Sequence, residues 1–385
     1  MTSDFGADTT IRTAFFDNGV IPQGFTLHAV VIGISTLIRV VAHPEHFDAR
    51  LFKEMTSIWS PTSLVGGQLS VMEDSSLPLI TMGKCNEVNA DAVASEFSTV
   101  VTRASLHVLK NSGQLLLHAG GIADDNGNVA IIVGPSGRGK TTTIREMAKE
   151  YSYVSDETIA IDAEGRVLPY PKPLSVIVPG HKHKLQIPSA QLGMKQLASD
   201  RLQVGSIVIL ERAQSGSKGR VEPISLAEAL KQISVQSSYL TFVTHPLAFI
   251  ARLMDETGGF KRFAAGSIDF LASLAPNLWE SYPAEQWQHV VPFNKRNSFV
   301  GSEVVDALST NDGVLVMTSD GKLHALSVIA SDIWRGLFKG ASLRIIERQL
   351  ETKFGTPLNM TIHSAVSGYV EELKALRIIS DVAEF

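Results

Sequence analysis

Residues 131–143 read Ile-Ile-Val-Gly-Pro-Ser-Gly-Arg-Gly-Lys-Thr-Thr-Thr. Within them Gly134, Pro135, Ser136, Gly137, Arg138, Gly139, Lys140 and Thr141 match the spacing G-x-x-x-x-G-K-[ST] of a phosphate-binding loop. Glycines at these positions let backbone N–H groups converge on phosphate oxygens. A helix starting at the same point adds positive partial charge. Lys140 is spaced to reach the β- and γ-phosphates of a nucleoside triphosphate, and the Thr141 hydroxyl to hold Mg²⁺. Thr142 completes the candidate binding set.

Two carboxylates follow about one helix further on, Asp156 and Glu157. Transfer of a phosphoryl group to a hydroxyl needs one carboxylate to hold Mg²⁺ and another to take the proton. Either member of the pair suits either task, and an acidic turn at a strand start is the plain alternative. His118 precedes the loop. If Ala123 and Val129 pair across the turn Asp124-Asp-Asn-Gly-Asn128, antiparallel register brings His118 opposite Gly134 to within about two residues, where it either touches a transferring group or is a hydrogen-bonded histidine at a strand end. Lys172 lies between Pro171 and Pro173, whose fixed φ stiffens the chain; this reads first as a plain rigid loop and second as a device that aims the lysine at a phosphate or acceptor. His181-Lys-His-Lys184 lacks the cysteine or carboxylate partners of a metal site and reads as a basic loop near nucleotide or substrate. Arg212 and Arg262 are further candidates for charge stabilisation.

The elements that must position these groups alternate. Apolar runs at Leu115–Ala119, Val129–Val133, Ile159–Asp162, Ser206–Leu210 and Leu240–Val243 predict buried strands, and Thr142–Lys149 predicts a helix. This is the pattern of an α/β domain over residues 96–295. Residues 1–95 are strand-rich, with turn clusters at Asp17-Asn-Gly19 and Gly66-Gly67. Phe25–Ala42 reads there as two strands joined near Gly33–Ser35. Residues 296–385 form a third region, with a hairpin, Val314–Met317 and Leu323–Leu326, ahead of three helical patterns. Gln214–Gly219 reads as a flexible loop and Pro283–Asn297 as the linker into the third region.

Composition bounds the class. The chain has 385 residues, 44% hydrophobic and 19% charged, enough for two or three cores. A net charge of −5 argues against broad nucleic-acid binding. The one cysteine, Cys85, excludes an intramolecular disulfide and suits a reducing compartment. The start lacks the basic residues of a signal peptide, and Phe25–Ala42 is interrupted by Thr26, His28, Ser35, Thr36 and Arg39. The expectation is a cytoplasmic protein with no membrane and no nucleic-acid partner.

Leu117-His118-Ala119-Gly120, the loop Gly134–Thr141 and Val154-Ser155-Asp156-Glu157 together resemble the core of the HPr serine kinase family, whose fold is shared with bacterial phosphoenolpyruvate carboxykinase. Pro171–Ser175 resembles a segment of small relatives that include lasso-peptide kinases. The resemblance is good over residues 100–180 and loose elsewhere in the middle domain. It implies ATP and Mg²⁺ as cofactors and a serine hydroxyl of a protein as acceptor. It also implies His118, Asp156 and Glu157 as the catalytic set, with Thr141 and the carboxylates on the metal. Two positions depart from the family pattern. Glu157 stands where the family has its second aspartate, and Ala119 where it has glycine after histidine. The later glycine-rich signature segment of the family is not found.

Residues 314–378 resemble a PqqD-like domain, the RiPP recognition element. Ser327 and Ser342 read as helix N-caps, and Gly340 and Gly355 as helix stops. Ile329, Ile333 and Leu337 share one helical face. Leu343, Ile346, Leu350 and Phe354 share another, and Val366, Val370, Leu373 and Leu376 a third. The resemblance implies a winged helix that takes the leader segment of a ribosomal precursor peptide as an added strand, against Val314–Leu326 and Ile362–Leu376. A DNA-binding winged helix is disfavoured because Glu371, Glu372, Lys374 and Arg377 give no basic face.

The expected architecture is therefore an α/β P-loop kinase-like domain with a strand-rich N-terminal region and a C-terminal winged-helix (PqqD-like) domain. The expected role is in ribosomal peptide natural-product biosynthesis. One form is a leader-binding Ser/Thr kinase. Another is a non-catalytic chaperone that delivers the precursor to other tailoring enzymes, and a third is a small-molecule kinase whose C-terminal domain serves only assembly.

Overall fold

The computed structural model describes residues 13–15, 21–45, 47–59, 74–82, 90–198, 201–212, 218–266, 268–283, 285–290 and 303–380. The turns at Asp17–Gly19 and Gly66-Gly67, Cys85, and the segments 214–217 and 291–297 lie outside them. Helices and strands are mixed throughout, and the chain divides into two compact units. The first takes in residues 1–222, 236–238 and 261–280, and the second residues 223–235, 239–260 and 281–385. The sequence cuts at 95/96 and 295/296 are contiguous, whereas these units interleave along the chain.

In the first unit a six-stranded sheet runs in the order Arg220–Pro223, Lys261–Ala265, Gln203–Arg212, Asn128–Val133, Ala119–Ala123, Ser152–Ser155. Gln203–Arg212 pairs parallel with both of its neighbours, while Ala119–Ala123 is antiparallel to both of its own. Asn128–Val133 is thus a central strand, and its buried Val129–Val133 run matches that position. The hairpin before it has the expected register, with Ala123 opposite Val129 and Ala119 opposite Val133. Asp124 sets the turn, its Oδ1 accepting from Asn126 N at 2.9 Å and Asn128 N at 2.8 Å.

A second, four-stranded sheet joins Val167-Leu168, Ile159–Ile161, Leu115–Leu117 and Ser237-Ser238. Two short crossings join the sheets directly, at His118 and at Asp156–Thr158. Leu115–Leu117 pairs with Ile159–Ile161 on one side of the passage, and Ala119–Ala123 with Ser152–Ser155 on the other. The two crossings are neighbours for that reason.

Residues before 96 share this unit's core. Leu27–Ile32 and Leu37–Ala42 pair antiparallel as expected, around Gly33 and a left-handed Ser35 at φ 52°. Ile34 N donates to Ser105 Oγ at 3.1 Å, tying the turn to the helix Ala90–Leu109. Val31, Ile38, Phe97 and Val101 pack in one cluster with Leu116, Ala160 and Tyr170. The strand expected at Leu240–Val243 is instead a 3₁₀ turn over Leu240–Phe242. Tyr239 has a left-handed backbone at φ 57°, which breaks the extended chain after Ser237-Ser238, and Phe242 is exposed.

The second unit holds an antiparallel sheet in the order Trp287–Val290, Val304–Thr310, Gly313–Thr318, Leu323–Leu326. Trp287–Val290 falls inside the stretch expected to be a linker. It is an edge strand instead, and Trp287 Nε1 donates to Asp255 Oδ2 at 3.0 Å. Helices Val328–Phe338, Leu343–Phe354 and Ile362–Ala375 follow the hairpin. Ser327 Oγ accepts from Ala330 N at 3.2 Å, while Ser342 caps without a side-chain bond. Trp334, Ile346 and Val370 lie in the common core. Phe354 and Leu376, assigned to buried stripes, are partly exposed because they sit at or past helix ends. The Lys353 ammonium lies 5.0 Å from the Phe354 ring centre.

Candidate nucleotide site

The loop closes around the end of its central strand. Gly137 and Gly139 take φ of +80° and +98°, which L side chains rarely adopt. A Cβ at either would meet nothing within 4 Å, so the turn is open on its outer side. Gly139 is the N-cap of the helix Lys140–Met147. Gly120 lets that helix sit on the sheet, since a Cβ there would come within 2.5 Å of Ile144 Cγ1. Lys140 is buried, and its Nζ donates to Gly134 O at 2.5 Å. Burial pulls its pKa down to about 8. Asp156 and Glu157 oppose that fall, and Lys184 adds to it.

The acidic pair stands in front of this helix. Thr141 Oγ1 donates to Asp156 Oδ2 at 3.3 Å. Tyr153 OH donates to Asp156 Oδ1 at 3.2 Å and to Lys172 O at 3.0 Å. Lys172 Nζ lies 3.2 Å from Asp156 Oδ1 and 3.0 Å from Glu157 Oε2. The Asp156 and Lys172 side chains are 2% and 0% exposed, whereas that of Glu157 is 35% exposed. Burial disfavours the Lys172 ammonium, but Asp156 and Glu157 outweigh it and hold the pKa above the ordinary lysine value. The Asp156–Thr158 turn is fixed by Ser155 Oγ, which accepts from Glu157 N at 3.3 Å and Thr158 N at 3.2 Å.

Elements far apart in sequence set the lysine. Tyr170 precedes Pro171-Lys172-Pro173, and its N donates to Val154 O at 3.1 Å. Its hydroxyl is 3.0 Å from Thr102 Oγ1 on the helix Ala90–Leu109. The helix Ala90–Leu109 thereby holds the back of the site. His118 N donates to Gln236 O at 2.7 Å. Burial first and Lys140 second lower the His118 pKa, against Glu157 and Asp156, which keeps the imidazole neutral near pH 7.

The structure thus brings His118, Lys140, Thr141, Asp156, Glu157 and Lys172 to one place. It directs Lys172 at the carboxylates rather than at an open phosphate position. His181 Nδ1 is 3.1 Å from Asp91 Oδ2, and of the basic segment Lys184 is the residue that acts on Lys140. Arg262 is committed elsewhere, 3.2 Å from Glu211 and 3.0 Å from Glu222. Tyr153 and Tyr170 were not foreseen. A buried tyrosine reads as core, and only the fold turns the Tyr153 hydroxyl to Asp156 and the Tyr170 hydroxyl to Thr102. The residues present fit a nucleotide with Mg²⁺: a glycine turn open on its outer side, a buried cation, and a hydroxyl beside a carboxylate.

No family model and no curated protein matches the sequence. Among solved structures the chain is similar to the HPr(Ser) kinase/phosphatase from Coxiella burnetii. The identity is 12%, over 42% of this chain and 94% of that one, with a TM-score of 0.22. At that score the similarity carries no argument about the site. No helix among the described residues is long and apolar enough to cross a membrane.

Proposed function

We propose that the first unit binds ATP with Mg²⁺ at Gly134–Thr142 and transfers the γ-phosphoryl group to a serine or threonine hydroxyl of a peptide. The carrying observation is the 3.3 Å approach of the Thr141 hydroxyl to the Asp156 carboxylate beside Lys140. In this reading Thr141 and Asp156 hold Mg²⁺. Lys140 and the loop amides hold phosphates. Glu157, the more exposed carboxylate, takes the acceptor's proton, and neutral His118 stands beside the transferring group. The hairpin-and-three-helix segment of the second unit is a PqqD-like element that binds the leader of a ribosomal precursor. Carrying both parts on one chain raises the effective concentration of the bound peptide at the loop.

A second reading is favoured by Lys172. Its ammonium already pairs with both carboxylates, so Mg²⁺ and an acceptor hydroxyl would compete with it for the same oxygens. The chain would then be a recognition chaperone that hands the precursor to tailoring enzymes. Incubation with γ-labelled ATP, Mg²⁺ and a precursor peptide encoded beside this gene separates the two. Labelled peptide that disappears with Lys140→Ala supports the kinase. Peptide binding without label transfer supports the chaperone, and neither binding nor transfer contradicts both.

A further inference from the structure

His245, His289 and Asp306 bring two imidazoles and a carboxylate together in the second unit, one ligand atom from each lying within 4.8 Å of the others. Asp306 is fully buried, at a register shift in the strand Val304–Thr310. Its Oδ2 accepts from Leu247 N at 2.8 Å and Ala248 N at 3.1 Å, the first turn of the helix Pro246–Glu256. Its Oδ1 accepts from Ala307 N at 2.9 Å and lies 2.8 Å from His289 Nε2. His245 Nδ1 is 3.9 Å from the same oxygen, and the two rings meet edge to face at 4.6 Å.

A helix cap with a histidine hydrogen bond accounts for Asp306 and His289. It does not account for His245. At 3.9 Å its nitrogen is beyond hydrogen-bond reach of the carboxylate. Its backbone is left-handed at φ 50°, which is unfavourable for a histidine by about 1 kcal/mol or more. Its side chain is 43% exposed, so burial does not drive it inward. Two ligands about 2.0–2.1 Å from one tetrahedral cation lie roughly 3.4 Å apart. The distances of 2.8 and 3.9 Å from Asp306 Oδ1 bracket that spacing.

We infer that His245 Nδ1, His289 Nε2 and Asp306 Oδ1 form a site for a zinc-type divalent cation, with a fourth position open to water beside the exposed His245. Imidazole and carboxylate ligands suit that borderline class. The cation would tie the start of Pro246–Glu256 to the strands Trp287–Val290 and Val304–Thr310, three segments distant in sequence but together in this unit. The site is independent of the nucleotide reading.

The test uses the full-length chain, stripped of metal and free of nucleotide, titrated with Zn²⁺ and separately with Co²⁺. The expected result is about one tightly held equivalent, a higher melting temperature, and an intense visible Co²⁺ band of tetrahedral type. His245→Ala and His289→Ala should each weaken binding by more than the ten- to hundredfold typical of losing a supporting group. Asp306 is left intact because its loss would also uncap the helix. Zinc uptake that is unchanged in the double histidine variant overturns the site. So does the absence of the Co²⁺ band in the unsubstituted chain, a result that does not depend on any variant folding.

Discussion

Lys172 is the counter-charge on which the acidic pair rests. Its ammonium is buried between Asp156 and Glu157, so removing it leaves a buried carboxylate without a cation. Lys172→Met should therefore destabilise the fold by about 3–5 kcal/mol, and adding Asp156→Asn should recover part of the loss. Urea unfolding reads both; a loss under about 1 kcal/mol would contradict the pairing. Lys140 gives a pH prediction. Its pKa of about 8 means that the ammonium is lost as pH rises through that value. Nucleotide affinity should be constant below about pH 7 and fall above pH 8 towards that of Lys140→Ala. Affinity that rises above pH 8 would contradict a charged Lys140 on the phosphates.

The elements explain why these residues meet. Two adjacent chain crossings between sheets carry His118 and Asp156–Glu157, and the loop helix faces them across Gly120. Gly120→Val should push Ile144 outward, cost about 1–3 kcal/mol by overpacking, and weaken nucleotide binding by moving the helix start. Equal affinity in the variant would show that helix seating does not set the site. Much of this was legible in the sequence. The loop motif, the Asp124 turn and the Ala123/Val129 register followed from local rules, because turn residues and strand period are encoded locally. Lys172's direction was not legible, since it depends on Tyr170 meeting Thr102 across the core. The role of Trp287–Val290 was hidden by a polar, proline-marked surrounding. Leu240–Val243 misled because a short apolar run does not fix its own period. His245, His289 and Asp306 are spread over three elements and share no local spacing.

At the scale of the molecule, two of the three lysines buried among the described residues shape how stability depends on pH. Lys140 and Lys261 both have pKa values drawn down to about 8 by burial, with acidic neighbours opposing the shift. Between about pH 8 and 10.5 the unfolded chain keeps protons on these groups that the folded chain has released. Their contribution to stability therefore rises with pH across that window and is flat below it. Chemical unfolding of Lys140→Met and Lys261→Met at pH 7 and pH 9.5 isolates this contribution: each variant should lose part of the pH-dependent gain. The central claim, that the loop and the Asp156 turn form one nucleotide–Mg²⁺ site, is tested most directly by calorimetric titration of the full-length chain with ATP, with and without Mg²⁺. Binding should be saturable, strengthened by Mg²⁺, weakened about ten- to hundredfold by Lys140→Ala, and no longer Mg²⁺-sensitive in Asp156→Asn. Absence of binding, or equal affinity in Lys140→Ala, would contradict it.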